Sequence, residues 1–308
     1  AYGGTINSVF ANFHLADVAF ETTQEFCHGI RFNNADYFTV NDCTFNNLPD
    51  RAMDGIWATG EINSCTFTGL NSFALDFLYS DFSVSNCVFR NNELSSADLV
   101  SSEAHFSCCL FEDNGLNSDS STIYAKNGNT LLESCVFDGN SSHNIASVVS
   151  VEDGAIVDFV NCTLVGNTVR NQANSVFYNK KSGINMLNCI FWNNIPTVMN
   201  ESQDGFTVQY SNIENGWPGE GNIDQDPMFV SSDDFHLATG SPCIDTACER
   251  DGAQQDCDGV NRPSGGTWDM GAYEYDGFYG PSRLYLRMPV YEVTEGDPFS
   301  LEAVFWND

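Results

Sequence analysis

Asp54, Asp76 and Asp98 follow one another at a single constant interval. A chain that returned to the same place at that interval would hold them as a column. Neighbours would then lie about 5 Å apart and the outer pair about 10 Å. Those separations bracket the carboxylate spacings of retaining and inverting glycosidases. Stacked like charges also raise carboxyl pKa values, as a general acid requires. The same oxygens are hard ligands of the kind Ca²⁺ takes. The plain alternative is an acidic stripe, solvated and screened by salt.

Other residues offer weaker chemistry. Asp256-Cys257-Asp258-Gly259, with Asp251 just before it, is similar to the start of a calcium loop. It lacks the Glu at the twelfth position that completes an EF-hand, and an acidic Gly-containing turn reads equally well. Trp57, Tyr79, Tyr124 and Tyr178 could stack on sugar rings or fill a core. The five His are scattered, so neither a zinc set nor a Ser/His/Asp order emerges.

What positions these side chains is a repeat. Cys43, Cys65, Cys87, Cys109, Cys135, Cys162 and Cys189 follow in three equal steps and then three slightly longer ones, and Ser211 extends the column. Two places after each member stand Phe45, Phe67, Phe89, Phe111, Phe137, Leu164, Phe191 and Ile213. Three places before stand Val40, Ile62, Val84, Phe106, Leu132, Phe159, Met186 and Val208. Five places after, Asn92, Asn114, Asn140, Asn167 and Asn194 form a polar column. A period of roughly 20 to 30 residues means stacked coils, none able to bury its apolar face alone. The segments are short, β-branched and aromatic, separated by Asn, Asp, Gly and Ser, so they read as strands and turns.

In such a stack, Cys, Phe and the apolar residue at minus three point inward, like upon like. The step from minus three to Cys has the wrong parity for one strand, so a bend must intervene. The Asn after each Phe is expected at the next turn, in left-handed backbone, with its amide bonded along the stack. The column cysteines read as small buried hydrophobes with free thiols, and the off-column Cys27 and Cys108 as core.

This pattern resembles the right-handed parallel β-helix, over roughly residues 5 to 216. Its Phe-x-x-Asn elements are similar to repeats of polymorphic outer-membrane adhesins. The fold carries lyases, hydrolases, adhesins and spacers alike. Its pectate lyases use Arg or Lys beside Ca²⁺. The candidate bases in the solenoid are Arg51, Arg90, Arg170, Lys126, Lys180 and Lys181. Of these, Arg51 alone stands near the acidic column, just ahead of Asp54.

After Gly216 the text changes. Asp224-Gln225-Asp226-Pro227-Met228-Phe229, Phe235-His236-Leu237, Gly240-Ser241-Pro242-Cys243-Ile244-Asp245, Arg262-Pro263 and Asp269-Met270-Gly271-Ala272-Tyr273-Glu274 follow. This segment resembles the closing part of choice-of-anchor Q domain proteins, which implies secretion and surface display. An open β-helix end exposes strand edges and needs a cover, which the segment would supply. In an exported protein a Cys248–Cys257 disulfide is expected, with Cys243 as the alternative partner.

The organisation expected is all-β: parallel β-helix coils over 1–216, a cap over 217–278 and a two-strand tail over 279–308. The tail resembles the opening of an immunoglobulin-like sandwich, of which two strands are too few to stand alone. Residues 282–308 are therefore expected against a neighbouring copy, as a homo-oligomer or an end-to-end filament. The chain opens at Ala1 in patterned sequence and reads as a mature or trimmed piece.

Net charge is −31, from 42 acids and 11 bases. It opposes nucleic acid, anionic membranes and polyanionic sugars, and favours cations, neutral glycans and basic partners. No apolar run is long enough to predict membrane insertion. The function expected is a non-enzymatic extracellular structural or adhesive module of a bacterial cell surface, stabilised by Ca²⁺ and binding a glycan or other surface ligand. The alternatives are a glycan hydrolase or lyase using the carboxylate column, and a filament subunit.

Overall fold

The computed structural model describes residues 6–9, 13–21, 29–35, 37–115, 119–171, 175–196, 205–250 and 254–277. They form a right-handed parallel β-solenoid with three faces. The first face stacks eight strands from Ile6–Val9 to Phe177–Lys180, the second nine from Phe13–Ala16 to Phe206–Gln209, and the third nine from Ala19–Glu21 to Asn212–Ile213. Each strand pairs in parallel with its equivalents one coil away, so the repeat becomes physical register: Phe67↔Phe89, Ile62↔Val84, Asp76↔Asp98. Residues 282–308, the segment expected against a neighbour, lie outside the described residues.

Three bends turn each coil. At the first, between the first and second faces, stand Asn34, Trp57, Tyr79, Ser101, Asn127, Asp153 and Lys181, all with positive φ. The second holds Asp42, Ser64, Asn86, Cys108, Ser134, Asn161 and Asn188 immediately before the Cys column; this is the bend that parity demanded. The third holds Asn47, Gly69, Asn91, Asp113, Gly139, Gly166 and Asn193. Left-handed backbone favours Gly and Asn over other residues. The regularly spaced Asn therefore does not itself take the left-handed turn; its predecessor does. Asn114, Asn140 and Asn167 are buried instead, each donating its amide to the next Asn at 2.9 Å.

The core consists of the inward columns. Phe45, Phe67, Phe89, Phe111 and Phe137 stack with centroids 4.5–4.9 Å apart and planes within 11°. Each such pair contributes about 0.5–1.5 kcal/mol beyond its buried area. The seven column cysteines, Cys43 to Cys189, are buried with free thiols. Each donates to the carbonyl two places before it at 3.1–3.5 Å. Burial pushes the Cys109, Cys135 and Cys189 thiols up, away from the thiolate.

The closing segment divides in two. Trp217 packs on Phe206 and on the solenoid core, covering its last coil. Residues 220–223 continue the end cover, bonding to Tyr210, Ser211 and Ile213 of the last coil. From Phe229 on, the segment lies along the outside of the third face, in addition to the end cover the sequence suggested. There Phe235 and Ala272 join Val136 and Val165, while Leu237, Trp268 and Met270 join Ile190. This explains why the outward positions Val136, Val165, Ile190 and Trp192 are apolar.

Candidate functional site

On the first face, strand parity sends every second side chain outward. One outward column reads Arg31, Asp54, Asp76, Asp98, Tyr124, Ser150, Tyr178. The carboxylates are thus stacked on adjacent coils. Arg31 Nε donates to Asp54 Oδ2 at 2.8 Å. Arg51 pairs with Asp76, one coil beyond the Asp54 beside which its sequence position had placed it, and lies over the Phe73 ring. Among the described residues, Asp98 has no hydrogen-bond or ion-pair partner. Burial, reinforced by Asp76, pushes its carboxyl up to about 6. Burial also raises Asp76, against the pull of Arg51.

Two further columns run beside this one. Ile56, Leu78 and Val100 form an aliphatic strip in register. Next come Trp57 and Tyr79 at the first bend, stacked with centroids 4.5 Å apart and planes 13° off parallel. They are 57% and 47% exposed. Other coils place Asn, Ser, Asp or Lys at this left-handed bend. Bulky residues there cost more than Asn does, and these two gain little burial in return. Arg31, Asn33, Arg51, Asp54, Gly55, Ile56, Asp76 and Leu78 line a depression of 310 Å³ beside them. Tyr124 is half-buried beyond Asp98, whereas Tyr178 is exposed at the column's end.

The residues read as a calcium loop are occupied otherwise. Asp256 is buried and accepts backbone N–H groups of Asp258, Val260 and Glu274 at 2.8–2.9 Å. Asp258 accepts from His236 Nε2 at 2.8 Å, and Asp234 binds the other ring nitrogen. Asp251 lies outside the described residues. Among those described, no three His, Cys, Asp or Glu gather as a metal-ligand set. The cap's polar centre is instead the buried Arg262–Glu274 pair at 3.5 Å, with Asp269 donating its backbone N–H to Glu274 at 2.6 Å. Burial raises Asp269 to about 6 and Glu274 to about 7.

The expected Cys248–Cys257 disulfide is corrected. Cys257 is bonded to Cys108, far away in sequence, and Cys248 carries a free thiol. Cys108 is consequently not a core residue. It occupies the left-handed bend before Cys109, with φ of 52°, which turns its side chain outward to meet the cap. The signal was present: adjacent cysteines on one strand path cannot both face inward. Cys243 is buried and unbonded, its thiol pushed up by burial to about 12. Cys27 lies outside the described residues.

Similarity to known proteins agrees with this architecture. A structure of pectate lyase Pel9A superposes with a TM-score of 0.50 at 12% identity, over 86% of this chain and 87% of that one; such identity speaks for the fold alone. A structure of QnrB1, a plasmid-mediated fluoroquinolone resistance protein, reaches a TM-score of 0.20 at 10% identity, over 71% and 92%, too low to argue from. No curated protein matches in sequence. Residues 28–216, most of the chain, match the family described as right handed beta helix region. The stacked register, the inward ladders and that match together place the chain in the right-handed β-helix family.

Proposed function

We propose that this protein is an extracellular adhesive module of a bacterial surface, and that it holds a glycan chain on its first face. The observation that carries the reading is the exposed Trp57–Tyr79 stack, set at a bend whose backbone disfavours such residues and flanked by an aliphatic strip and hydrogen-bonding Asp and Arg groups. Sugar rings offer one apolar face to an aromatic and a rim of hydroxyls to carboxylates and guanidinium groups. The Cys108–Cys257 bond supports an oxidising, exported setting. The likeness of the closing segment to choice-of-anchor Q proteins supports surface display.

Binding to immobilised polysaccharides tests this. The native protein is expected to bind, and the Trp57→Ala/Tyr79→Ala double variant to bind at least about tenfold more weakly with an unchanged melting temperature. Equal retention of both proteins rejects the site. A glycan hydrolase is the second reading, favoured by one observation: Asp98, pushed up to about 6, stands one coil from Asp76, which Arg51 pairs with. Release of reducing ends, abolished by Asp76→Asn, would make the protein an enzyme.

A further inference from the structure

The charge count along the outward column is uneven. Arg31 serves Asp54 and Arg51 serves Asp76, but among the described residues no cation pairs with Asp98. The position corresponding to Arg51 one coil on is Phe73, which accepts the Ala52 N–H through its backbone and can offer no charge. Asp98 therefore sits half-buried with Asp76 on one side and Tyr124 on the other. Two places along the same outward column lies Ser150, 3% exposed, whose Oγ has no hydrogen-bond partner. Native structures rarely leave a buried hydroxyl unpaired without a further participant. The column thus holds a carboxylate with no paired cation, which Arg51 favours only from a distance, and an unsatisfied hydroxyl on either side of a Tyr. Both ask for a ligand with a cationic donor and a hydrogen-bonding neighbour.

The distances suit a sugar chain. From the Tyr79 bend to Asp98 the path crosses one coil and three strand positions, roughly 11 Å between Cα atoms at standard strand spacings. Leu78 and Val100 line that path. A glycan seated on Trp57 and Tyr79 would lie over the aliphatic strip and reach Asp98 within two or three sugar units.

We propose that the glycan held on this face is an amino-sugar polymer with free ammonium groups, its rings on Trp57 and Tyr79 and one ammonium against Asp98. This deepens, and rests on, the glycan-binding reading above. It gives the face the polarity opposite to that needed for an acidic polysaccharide, in line with the net charge of −31. Tyr124 adds a ring edge beside the ammonium, and its hydroxyl is a hydrogen-bonding group for the adjoining sugar.

Calorimetric titration with hexamers of glucosamine, N-acetylglucosamine and galacturonic acid decides it. The glucosamine hexamer is expected to bind at least about tenfold more tightly than the acetylated one, since a charge-assisted contact exceeds a neutral one. Asp98→Asn should remove that preference, bringing the two hexamers to similar affinity. Trp57→Ala should weaken both. If the acetylated hexamer binds as tightly as the amine and Asp98→Asn changes nothing, the amino-sugar assignment fails while glycan binding stands. Preference for the galacturonic hexamer also overturns the assignment. If none of the three, nor any neutral polysaccharide, binds, the underlying reading falls with it.

Discussion

Asp98 costs the fold stability at neutral pH. Its carboxyl moves from an ordinary 3.8 to about 6, so between those values the native state keeps a proton that the unfolded chain has released. Stability therefore falls as pH rises from about 4 to 6, and the full cost stands above 6. Asp98→Asn, which keeps the shape and removes the charge, is expected to stabilise the protein by about 1–2 kcal/mol at pH 7.5 and hardly at all at pH 4. Thermal unfolding at the two pH values measures this; equal effects at both contradict the assignment of the shift to charge. A residue that weakens the fold while serving a ligand is the ordinary signature of a binding site. The carboxylate column was legible because its members share one interval. The pairing of its arginines was not. Arg31 stands one position out of step with the column, in a slightly longer coil, and Arg51 reaches forward to Asp76 instead of its neighbour in sequence.

The cap rests on His236 at its contact with the solenoid. Asp234 and Asp258 bind its two ring nitrogens, and the ring stacks on Tyr273 at 4.0 Å. A carboxylate on each nitrogen favours the doubly protonated imidazole. Burial alone would lower its pKa, but the hydrogen bonds it donates to Asp258 and Asp234 outweigh it and raise it above 6.5. Glu112, which Arg90 pairs with, Asp138 and Asp233 line the same 420 Å³ cleft. A raised His pKa gives stability that is complete below 6.5 and lost as pH rises through the folded value. His236→Gln is expected to destabilise the cap by about 1.5–3 kcal/mol at pH 6, with the difference from the native protein shrinking at alkaline pH. Hydrogen exchange of cap amides reads this directly, and a pH-independent difference would show that packing on Tyr273 matters instead. At this level the sequence disclosed the Cys, Phe and Asn ladders, because equivalent residues touch their own kind. The docking of the cap was hidden, since Ala272 to Thr163 and Cys257 to Cys108 are single contacts between distant parts of the chain, with no period to announce them.

For the whole molecule, the fold follows from repetition. Short coils leave parallel stacking as the arrangement that buries each apolar face, and three left-handed bends close every turn. The Cys108–Cys257 bond then ties the cap to the middle of the stack. Replacing Cys257 by Ser is expected to lower stability by about 2–5 kcal/mol, from the long loop that is released. Unfolding should then separate into two steps, the cap leaving before the solenoid melts. A single transition at the native temperature would show that the apolar contacts with Val136, Val165 and Ile190 suffice. The placement of that bond also has a mechanical meaning. A pull along the stack loads the hydrogen bonds between coils in series, and the weakest rung yields first. From the Cys108 coil to the last coil, the cap runs alongside as a second, partly covalent load path. The coils that carry Asp54 and Asp76 lie ahead of that brace, and Asp98 lies on the coil where it begins. Under tension the gripping end is the compliant part of the molecule, and the braced end is the stiff one.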